Sequence, residues 1–295
     1  MKKIVILTPI YNDWKSLLKL IEKIDFEISK WNFYVSIYIV NDASTEKRPT
    51  IDKILKNIKS IKVINMKNNL GHARCYATGL KFLIEKENFD YVILMDGDGE
   101  DQPNEISLFF QKIKENPTSV VTANRVKRSE GPLFKLLYEF HKILTYIFTG
   151  KLIKFGNYGC LPRESAIKLV KEASIWSSYS GTLAKTIPNR DSVPSFRGIR
   201  YFGPSQMNFF NLLIHSFSII AVFRISVMFR SVLFIFFYLF FVFHNLTFIT
   251  LFPILAVLVF LFTILKVSSR ADIDQLNNSL NNIHSIDNLR NFDSR

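Results

Sequence analysis

A long stretch without charged side chains limits what this chain can fold into. No Asp, Glu, Lys or Arg occurs between Arg230 and Lys266, and the stretch is rich in Phe, Leu and Ile. One straight helix over it would be on the order of 50 Å long, whereas the hydrocarbon core of a bilayer is roughly 30 Å thick. Two passes of about 17 residues fit that thickness, with a turn near His244 and Asn245. The pattern predicts a two-helix membrane hairpin over residues 231–267.

The charges beside the hairpin predict its orientation. Arg224 and Arg230 precede it, Lys266 and Arg270 follow it, and the turn carries no formal charge. Loops rich in Lys and Arg stay on the cytoplasmic side of a membrane. We therefore expect a membrane protein with two passes, with the N-terminal domain and the C-terminal tail both in the cytoplasm.

The segments on either side of the hairpin have different compositions. Residues 208–230 mix apolar side chains with His215 and two arginines, which predicts an amphipathic helix lying in the membrane interface. Residues 268–295 are rich in Asn, Asp and Ser. This composition favours a polar cytoplasmic tail, either a weak helix or a disordered segment.

Residues 1–207 show the alternation of an α/β domain. Short apolar runs that predict strands cover residues 4–7, 33–40, 61–64, 91–95 and 120–123, with a last strand and loop over residues 193–205. Segments with helical spacing lie between the runs, including a short one near residues 51–58 and a longer one over residues 133–148, and residues 156–163 are predicted to form a loop. Alternating strands and helices predict right-handed crossovers and a mostly parallel, doubly wound sheet.

An acidic turn follows the fourth predicted strand. Asp96, Gly97 and Asp98 come directly after the apolar run. Two carboxylates one residue apart can bind one hard cation through their oxygens, and glycine leaves space for a bulky ligand near the backbone. Open α/β sheets bind ligands at the carboxyl ends of their strands. The sequence therefore predicts a site for a nucleotide, a phosphate or a metal at this edge, where other strand ends also carry Asp or Asn.

Composition narrows the classes of partner. The formal charge is +13 and the pI is near 9.6, which indicates an anionic partner such as nucleic acid, lipid or a phosphorylated substrate. The basic residues are spread among the predicted helices, so we expect no nucleic acid to bind. No Gly-x-Gly-x-x-Gly or Walker-type lysine loop occurs. Cys75 and Cys160 are too few for a disulfide framework or a zinc site, and His72 and His141 are expected on helix surfaces.

Four ordered segments carry a resemblance to a known family. They are residues 7–13 (Leu-Thr-Pro-Ile-Tyr-Asn-Asp), residues 40–44 (Val-Asn-Asp-Ala-Ser), residues 69–73 (Asn-Leu-Gly-His-Ala) and residues 96–103 (Asp-Gly-Asp-Gly-Glu-Asp-Gln-Pro). In this order they resemble family 2 glycosyltransferases of the GT-A fold. Together with residues 200–205 and the hairpin, the chain is similar to the polyprenyl-phosphate sugar transferases over about residues 4–267.

The resemblance implies a role for each matching residue. It implies an inverting, metal-dependent enzyme that moves a sugar from a nucleoside diphosphate to a lipid-linked acceptor. The implied nucleotide-sugar contacts are Pro9, Tyr11, Asp13, Val40, Asp42, Ala73, Asp96, Gly97, Asp98, Glu100 and Ser205. Mg²⁺ or Mn²⁺ would be bound by Asp96, Asp98 and Glu100, and catalysis would use Asp96, Asp98, Asp101, Arg125 and Arg200. Lys135, Asn157 and Tyr158 are the implied acceptor contacts.

Departures from the family pattern leave alternatives open. Residues 157–160 lack the Phe-Arg pair that family members often carry in the acceptor loop. A hydroxyl of a glycolipid or of a surface polysaccharide precursor is therefore an alternative acceptor, and it would need a base such as Asp101 or Glu100. The absence of Gln-x-x-Arg-Trp disfavours a processive synthase. A catalytically silent membrane scaffold is a rival hypothesis, and assembly into homo-oligomers is left open.

Overall fold

The chain forms a mixed α/β domain followed by long apolar helices. The computed structural model describes residues 1–50, 55–127, 132–204 and 209–291. Within them the strands are β1 (Lys3–Ile10), β2 (Tyr34–Asn41), β3 (Ser60–Met66), β4 (Tyr91–Leu94), β5 (Val121–Lys127), β6 (Phe155–Pro162), β7 (Asp191–Phe196) and β8 (Ile283–Asn291). The α-helices are α1 (Trp14–Ile28), α2 (His72–Lys86), α3 (Ile106–Glu115), α4 (Pro132–Thr149), α5 (Arg163–Val170), α6 (Tyr179–Thr186), α7 (Phe209–Ala221), α8 (Arg224–Val242), α9 (Phe248–Ser268) and α10 (Ile273–Asn277).

All of these strands belong to one sheet. The order of the strands is β7-β5-β6-β4-β1-β2-β3-β8. Strands β3, β2, β1 and β4 are parallel, and β5 is parallel to β7, whereas β6 and β8 run antiparallel to their neighbours. The predicted α/β fold is confirmed. The parallel strands all end at the same edge, which we call the carboxyl edge.

The sheet has an apolar core on each face. Side chains alternate along a strand, so Ile4 and Ile6 of β1 pack on one face while Val5 and Leu7 pack on the other. The first face is covered by α1 and α3, and the second by α2, α5, α6 and α10. This is the doubly wound arrangement that the alternating pattern predicts, and it fixes the positions of the loops at the carboxyl edge.

The predicted loop over residues 156–163 is wrong, because residues 156–162 belong to strand β6 and Arg163 begins α5. In the sequence its glycines are typical of a loop, but in the structure they allow close packing of the strand. A Cβ built on Gly159 would lie 2.8 Å from the carbonyl oxygen of Val121 on β5. Tyr158 and Cys160 are buried, and β6 pairs with both β4 and β5. The strand therefore joins the two parallel halves of the sheet.

Two predicted helices agree only in part with the structure. Residues 51–54 of the predicted short helix lie outside the described residues, and residues 55–59 do not form a helix. The predicted interfacial segment 208–230 is divided, since α7 ends at Ala221 and α8 begins at Arg224. The N–H of Phe223 donates to the carbonyl of Ile220 at 2.9 Å and closes the turn between them. Asn208 lies outside the described residues.

The apolar hairpin has the predicted turn. Helices α8 and α9 are joined by residues 243–247, and a reciprocal capping box between Thr247 and Thr250 begins α9. By length and composition, the two helices could each cross a membrane. In the most apolar 18-residue stretch of each helix, only 11% and 6% of the stretch is buried within the protein. Ile220, Val227 and Ile264 pack where α7, α8 and α9 meet.

The described part of the C-terminal tail, up to residue 291, is neither disordered nor a single weak helix. Helix α10 places Leu276 in the core on the α2 face of the sheet. Strand β8 then pairs antiparallel with β3 at the end of the sheet. Arg48 and Asp287 form an ion pair at 2.6 Å beside this strand, and Asn65 also donates to Asp287. The residues after the hairpin thus complete the domain that precedes it.

Candidate active site

The loops after β1 and β2 are joined by Asn12. Its side-chain oxygen accepts the N–H of Thr45 at 2.8 Å and that of Glu46 at 3.1 Å, while its own N–H donates to the Ser44 hydroxyl. Asn12 has a φ of 48°, a left-handed conformation that asparagine adopts more readily than most residues. The two loops are therefore connected and form one wall of the carboxyl edge.

Asp42 supports the backbone that leads into α2. Its two carboxylate oxygens accept the N–H groups of Leu70 at 2.8 Å and Gly71 at 2.9 Å, and the residue is 4% exposed. These bonds fix the position at which α2 begins. The predicted contact of Asp42 with a base or ribose stays a prediction.

Asp96 is held by two side chains of α2. The hydroxyl of Tyr76 donates to Oδ1 of Asp96 at 2.9 Å, and Nε2 of His72 lies 2.8 Å from the same oxygen. Within the described residues, Oδ2 of Asp96 makes no hydrogen bond, so it can bind a ligand. His72 lies on the helix surface as expected, with its side chain 46% exposed, and from there it contacts Asp96.

Buried groups support the rest of the acidic loop, which we define as residues 96–102. Oδ2 of Asp101 accepts the N–H of Asp96 at 3.0 Å, and Asp101 is 6% exposed. The hydroxyl of Tyr158 donates to the carbonyl of Gln102 at 2.8 Å. Tyr158 is itself 3% exposed, so it supports this loop from inside the protein and does not face an acceptor here.

A second loop, residues 197–203, pairs with the acidic loop, and we call it the arginine loop. Arg197 forms an ion pair with Glu100. Arg200 lies between two acids, with Nη2 at 2.6 Å from Oδ2 of Asp13 and Nη1 at 3.4 Å from Oδ2 of Asp98. Ion pairs therefore hold the two loops in contact. Asp13, one of the predicted nucleotide-sugar contacts, pairs with Arg200 in this structure.

Backbone contacts bring the two loops together closely. The N–H of Gly198 donates to the carbonyl of Glu100 at 2.8 Å, and that of Tyr201 donates to the carbonyl of Asp98 at 3.0 Å. Gly99 has a φ of +87°, and a Cβ there would lie 2.6 Å from Cζ of Tyr201. Lys23 Nζ lies 4.5 Å from the centre of the Tyr201 ring. Only glycine at position 99 allows this packing.

The acidic loop carries more negative charge than its partners neutralise. Burial and then the Asp96 charge raise the pKa of Asp98 and raise the pKa of Asp101 to about 7. Burial also raises the pKa of Glu100, against the opposing effect of Arg197. For Asp96, burial acts upward on the pKa, but the contact with His72 outweighs it and the pKa is lowered. A cation bound here would relieve the repulsion among these carboxylates.

No preformed metal site is present in the part of the chain that the structure describes. No three His, Cys, Asp or Glu side chains in it converge closely enough to bind an ion. Asp96 contacts α2, and Asp98 and Glu100 pair with the arginine loop. The three predicted ligands lie in one loop, and their role with a metal stays a prediction.

The other predicted nucleotide-sugar contacts differ in how far they are buried in the protein. Tyr11 is 47% exposed at the carboxyl edge, and Ala73 is partly buried in the first turn of α2. Val40 is 0% exposed and packs in the core, so a contact of its side chain with the nucleotide is not possible here. Pro9 is also buried. A Cβ on Gly97 would lie 3.0 Å from the carbonyl oxygen of Pro9, so this glycine permits close approach of β1 and not of a bulky ligand.

The far side of the site is formed by β5 and β6. A Cβ on Gly156 would lie 3.1 Å from Cζ of Arg125, so the guanidinium lies over this glycine. Burial raises the pKa of Glu100 and of Asp101, and the charge of Arg125 acts against this rise, which indicates that it faces the acidic loop. Asn157 is partly buried on β6. Ser205 and the side chain of Lys135 lie outside the described residues.

Three contributors to the site are not predicted from the sequence. They are Arg197, Tyr76 and the Asp96-binding role of His72. His72 and Tyr76 are four residues apart and therefore share one face of α2, a spacing that could have indicated a common partner. Arg197 lies three residues before Arg200 in the segment already singled out. Neither pattern indicates which acidic residue each side chain contacts.

Comparison with known proteins places this geometry in a family. The profile of Glycosyl transferase family 2 matches residues 5–176. Undecaprenyl-phosphate 4-deoxy-4-formamido-L-arabinose transferase of Klebsiella pneumoniae is 24% identical over 218 residues, which are 72% of this chain. The chain covers 64% of the length of that relative.

Solved structures share the fold at low sequence identity. Glucosyl-3-phosphoglycerate synthase of Mycobacterium tuberculosis, in complex with Mn²⁺, UDP-glucose and phosphoglyceric acid, gives a TM-score of 0.53 at 13% identity, covering 77% of this chain and 80% of that chain. Mannosyl-3-phosphoglycerate synthase of Rubrobacter xylanophilus gives 0.52 at 13% identity, covering 75% and 72%. These likenesses concern the fold alone. With the profile match over more than half of its length, the chain belongs to glycosyltransferase family 2 and has the GT-A fold.

Proposed function

We propose that this protein transfers a sugar from a nucleoside diphosphate to a lipid-linked acceptor at the membrane surface, with inversion at the anomeric carbon. The observation that carries the proposal is the acidic loop at the carboxyl edge, where Asp96, Asp98 and Glu100 face Arg197 and Arg200. A nucleotide sugar presents a diphosphate, which needs cations around it. The Klebsiella relative, named as an undecaprenyl-phosphate sugar transferase, supports the same class of acceptor.

The excess negative charge of the acidic loop fits Mg²⁺ or Mn²⁺. Oδ2 of Asp96 with the carboxylates of Asp98 and Glu100 would bind the ion, since such cations prefer oxygen ligands. A bound divalent ion supplies positive charge that stabilises the departing diphosphate. Arg197 and Arg200 already lie beside these acids, so they would contact the same diphosphate and stabilise its developing charge. The wall that Asn12 joins would accommodate the nucleoside.

The surroundings of the acids favour a phosphate acceptor over a hydroxyl. A hydroxyl acceptor needs a base within hydrogen-bonding reach. Asp101 is 6% exposed and bonded to the Asp96 backbone, and Glu100 is paired with Arg197. A lipid phosphate is already an anion and requires positive groups instead. Arg125, at the end of β5, would bind it, with Lys135 as the second candidate.

A membrane location brings such an acceptor to the site. Helices α8 and α9 carry exposed apolar side chains along their length, among them Phe240 at 73% and Phe241 at 79%. Burying this surface in a bilayer is favourable by about 25 cal/mol per Å². The hairpin would anchor the protein with its GT-A domain on the cytoplasmic face.

Transfer to lipid by membranes containing the full chain tests the proposal. Membranes are incubated with Mn²⁺ and a panel of radiolabelled nucleotide sugars, and the labelled lipid is identified by its mass. We expect Asp98→Asn to reduce transfer at least about 100-fold, a typical loss when one group that stabilises the transition state is removed. Asp90→Asn, at the opposite end of the same strand, is the matched control and should retain activity. Full transfer by Asp98→Asn would refute the proposal.

A further inference from the structure

The C-terminal half of α4 packs against the apolar hairpin. The centre of the Phe148 ring lies 4.4 Å from that of Phe260 on α9, and Leu144 packs in the same cluster, where α7, α8 and α9 meet. Phe260 comes eight residues before the end of α9 at Ser268, which is about 12 Å along the helix axis. Helix α4 therefore meets the hairpin along its apolar length and not only at its polar end.

Arg230 fixes the end of α4 to α8. Its Nη1 donates to the carbonyl of Ile147 at 3.0 Å, one of the carbonyls that the last turn of a helix leaves without an intrahelical partner. Gly150, with a φ of +69°, follows the helix, and a Cβ on it would lie 3.2 Å from Cζ of Arg230. Arg230 is the last charged residue before the charge-free stretch, and arginines near helix ends extend to the membrane interface. The contact therefore places α4 at the level where the hairpin would enter a membrane.

The opposite side of α4 is apolar and uncovered among the described residues. Ile143, Tyr146 and Ile147 are 56%, 58% and 54% exposed. Their spacing of three and four residues puts them on one face of the helix, away from the side chains that pack on the hairpin. A contiguous apolar face of this kind usually marks a surface that contacts a partner or a membrane.

The charges around this face suit a membrane surface. Lys151 and Lys154 are exposed shortly after the end of α4, and basic residues at such positions are attracted to anionic lipid headgroups. Glu139 lies one turn before Ile143, and its charge is paired with Lys142 at 2.8 Å. An apolar face bordered by cations is typical of a helix that lies in the plane of the interface.

We propose that α4 lies in the membrane interface, with Ile143, Tyr146 and Ile147 inserted into the cytoplasmic leaflet. The bilayer is the occupant of this face because α4 is in direct contact with α8, so its exposed side chains continue the exposed apolar surface of the hairpin. The inference rests on the membrane placement in the proposed function and not on the transfer reaction. The N–H of Arg125 on β5 donates to the carbonyl of Lys154 at 3.1 Å, so the segment that contains α4 leaves the sheet and returns to it beside Arg125. An inserted α4 thereby keeps this proposed phosphate contact close to the headgroups.

Fluorescence quenching by lipids of known depth tests the placement. Tyr146→Cys in the full chain is labelled with a fluorophore and reconstituted into vesicles of phosphatidylglycerol and phosphatidylcholine, some of which carries a nitroxide on the acyl chain. The native Cys75 and Cys160 are buried, so the label should be specific. We expect the probe to lie roughly 5–10 Å below the headgroup boundary and to be protected from iodide in the water. Phe26→Cys, on α1 and 71% exposed, is the matched control and should be quenched by iodide alone.

The outcomes separate the bilayer from the other surroundings of α4. A probe at position 146 that iodide quenches as strongly as the control would show that this face is in water and overturn the inference. A probe that neither iodide nor the nitroxide lipid quenches would show that protein covers the face, and would overturn the bilayer as its occupant. Phe237→Cys in α8 is measured in parallel. Lipid quenching at position 237 but not at 146 would refute this inference alone, and its absence at both would refute the membrane placement as well.

Kinetics test the consequence for the acceptor. Ile143→Ser combined with Ile147→Ser should raise KM for a long-chain polyprenyl phosphate in vesicles several-fold, because α4 no longer inserts. KM for a water-soluble short-chain analogue should stay unchanged, since this acceptor reaches Arg125 without the bilayer. Phe26→Ser is the control for loss of one exposed apolar side chain. An unchanged KM for the long-chain acceptor would contradict the role of α4 beside Arg125, whereas depth quenching at α4 without transfer to either acceptor by the wild type would refute only the proposed function.

Discussion

The contact between His72 and Asp96 makes the stability of the site depend on pH. Burial acts downward on the pKa of His72, but the Asp96 carboxylate outweighs it and the pKa is raised. The charged imidazole therefore stabilises the fold most fully below its ordinary pKa of about 6.5, and this contribution is lost as the pH rises through the raised value.

The raised pKa of His72 predicts how the effect of one substitution depends on pH. The difference in melting temperature between wild type and His72→Asn, measured without divalent metal, should be larger at pH 6 than at pH 9. Tyr76→Phe is the control, because burial raises the pKa of Tyr76 well above its usual value and its hydrogen bond does not change over this range. An equal difference at both pH values would show that His72 is neutral beside Asp96.

Two glycines with positive φ should respond differently to alanine. Gly99 at +87° lies against the Tyr201 ring, whereas a Cβ on Gly203, at +67°, would have no neighbouring atom within 4 Å. Both substitutions carry a backbone cost of about 1 kcal/mol, and Gly99→Ala adds about 1–3 kcal/mol for overpacking. Denaturant unfolding should therefore show a larger loss for Gly99→Ala, with a parallel loss of sugar transfer. Equal losses of unfolding free energy would show that the arginine loop moves away from the added methyl group without loss of stability.

The sequence predicts the acids of this site better than their partners. Asp96 and Asp98 follow an apolar strand, and that local pattern is enough to place them at a sheet edge. Arg197 meets Glu100 across 97 positions of sequence, and a salt bridge at that distance has no periodic signature. The sequence alone predicts only that His72 lies on the helix surface, because the first residue of an isolated helix faces solvent. Only the packing of α2 on the sheet, against β1 and β2, brings it to Asp96.

At the level of elements, α10 is an integral part of the domain. Leu276 is 0% exposed on α10, and Lys81 of α2 donates to the carbonyl of Asn277 at 2.6 Å. Leu276→Ala should lower the free energy of unfolding by about 2–5 kcal/mol. Ile273→Ala, on the same helix but 40% exposed, should change it by less than about 0.5 kcal/mol. Similar values for both would show that the tail is undocked in solution.

Strands are predicted correctly where apolar residues are continuous and missed where they are not. β1, β2, β3 and β4 are central, buried on both faces and rich in branched residues, as parallel strands usually are. β6 contains two glycines and a proline, and β8 reads Ile-His-Ser-Ile-Asp-Asn-Leu-Arg-Asn. An edge strand is half exposed, so its polar residues resemble those of a loop. Pairing with β3, more than 200 positions away, is what makes β8 a strand.

For the whole molecule, the pairing of β8 with β3 requires both ends of the hairpin to lie on one side of a membrane. Asn245 in the turn and Asn278 beyond α9 are both exposed. In intact cells, a membrane-impermeant thiol reagent should label Asn245→Cys but label Asn278→Cys only after lysis. The native Cys75 and Cys160 are buried, so background labelling should be low. Labelling of both in intact cells would contradict the proposed orientation.

The place of β8 in the chain also has a consequence for biosynthesis. Every other strand of the sheet is translated before the two long apolar helices, and β8 is translated after them. Until β8 has left the ribosome, β3 remains an open strand edge, which is a site of aggregation. A nascent polypeptide that stalls in the hairpin therefore exposes that edge to chaperones and proteases. The sheet is therefore completed only after the apolar hairpin has been synthesised.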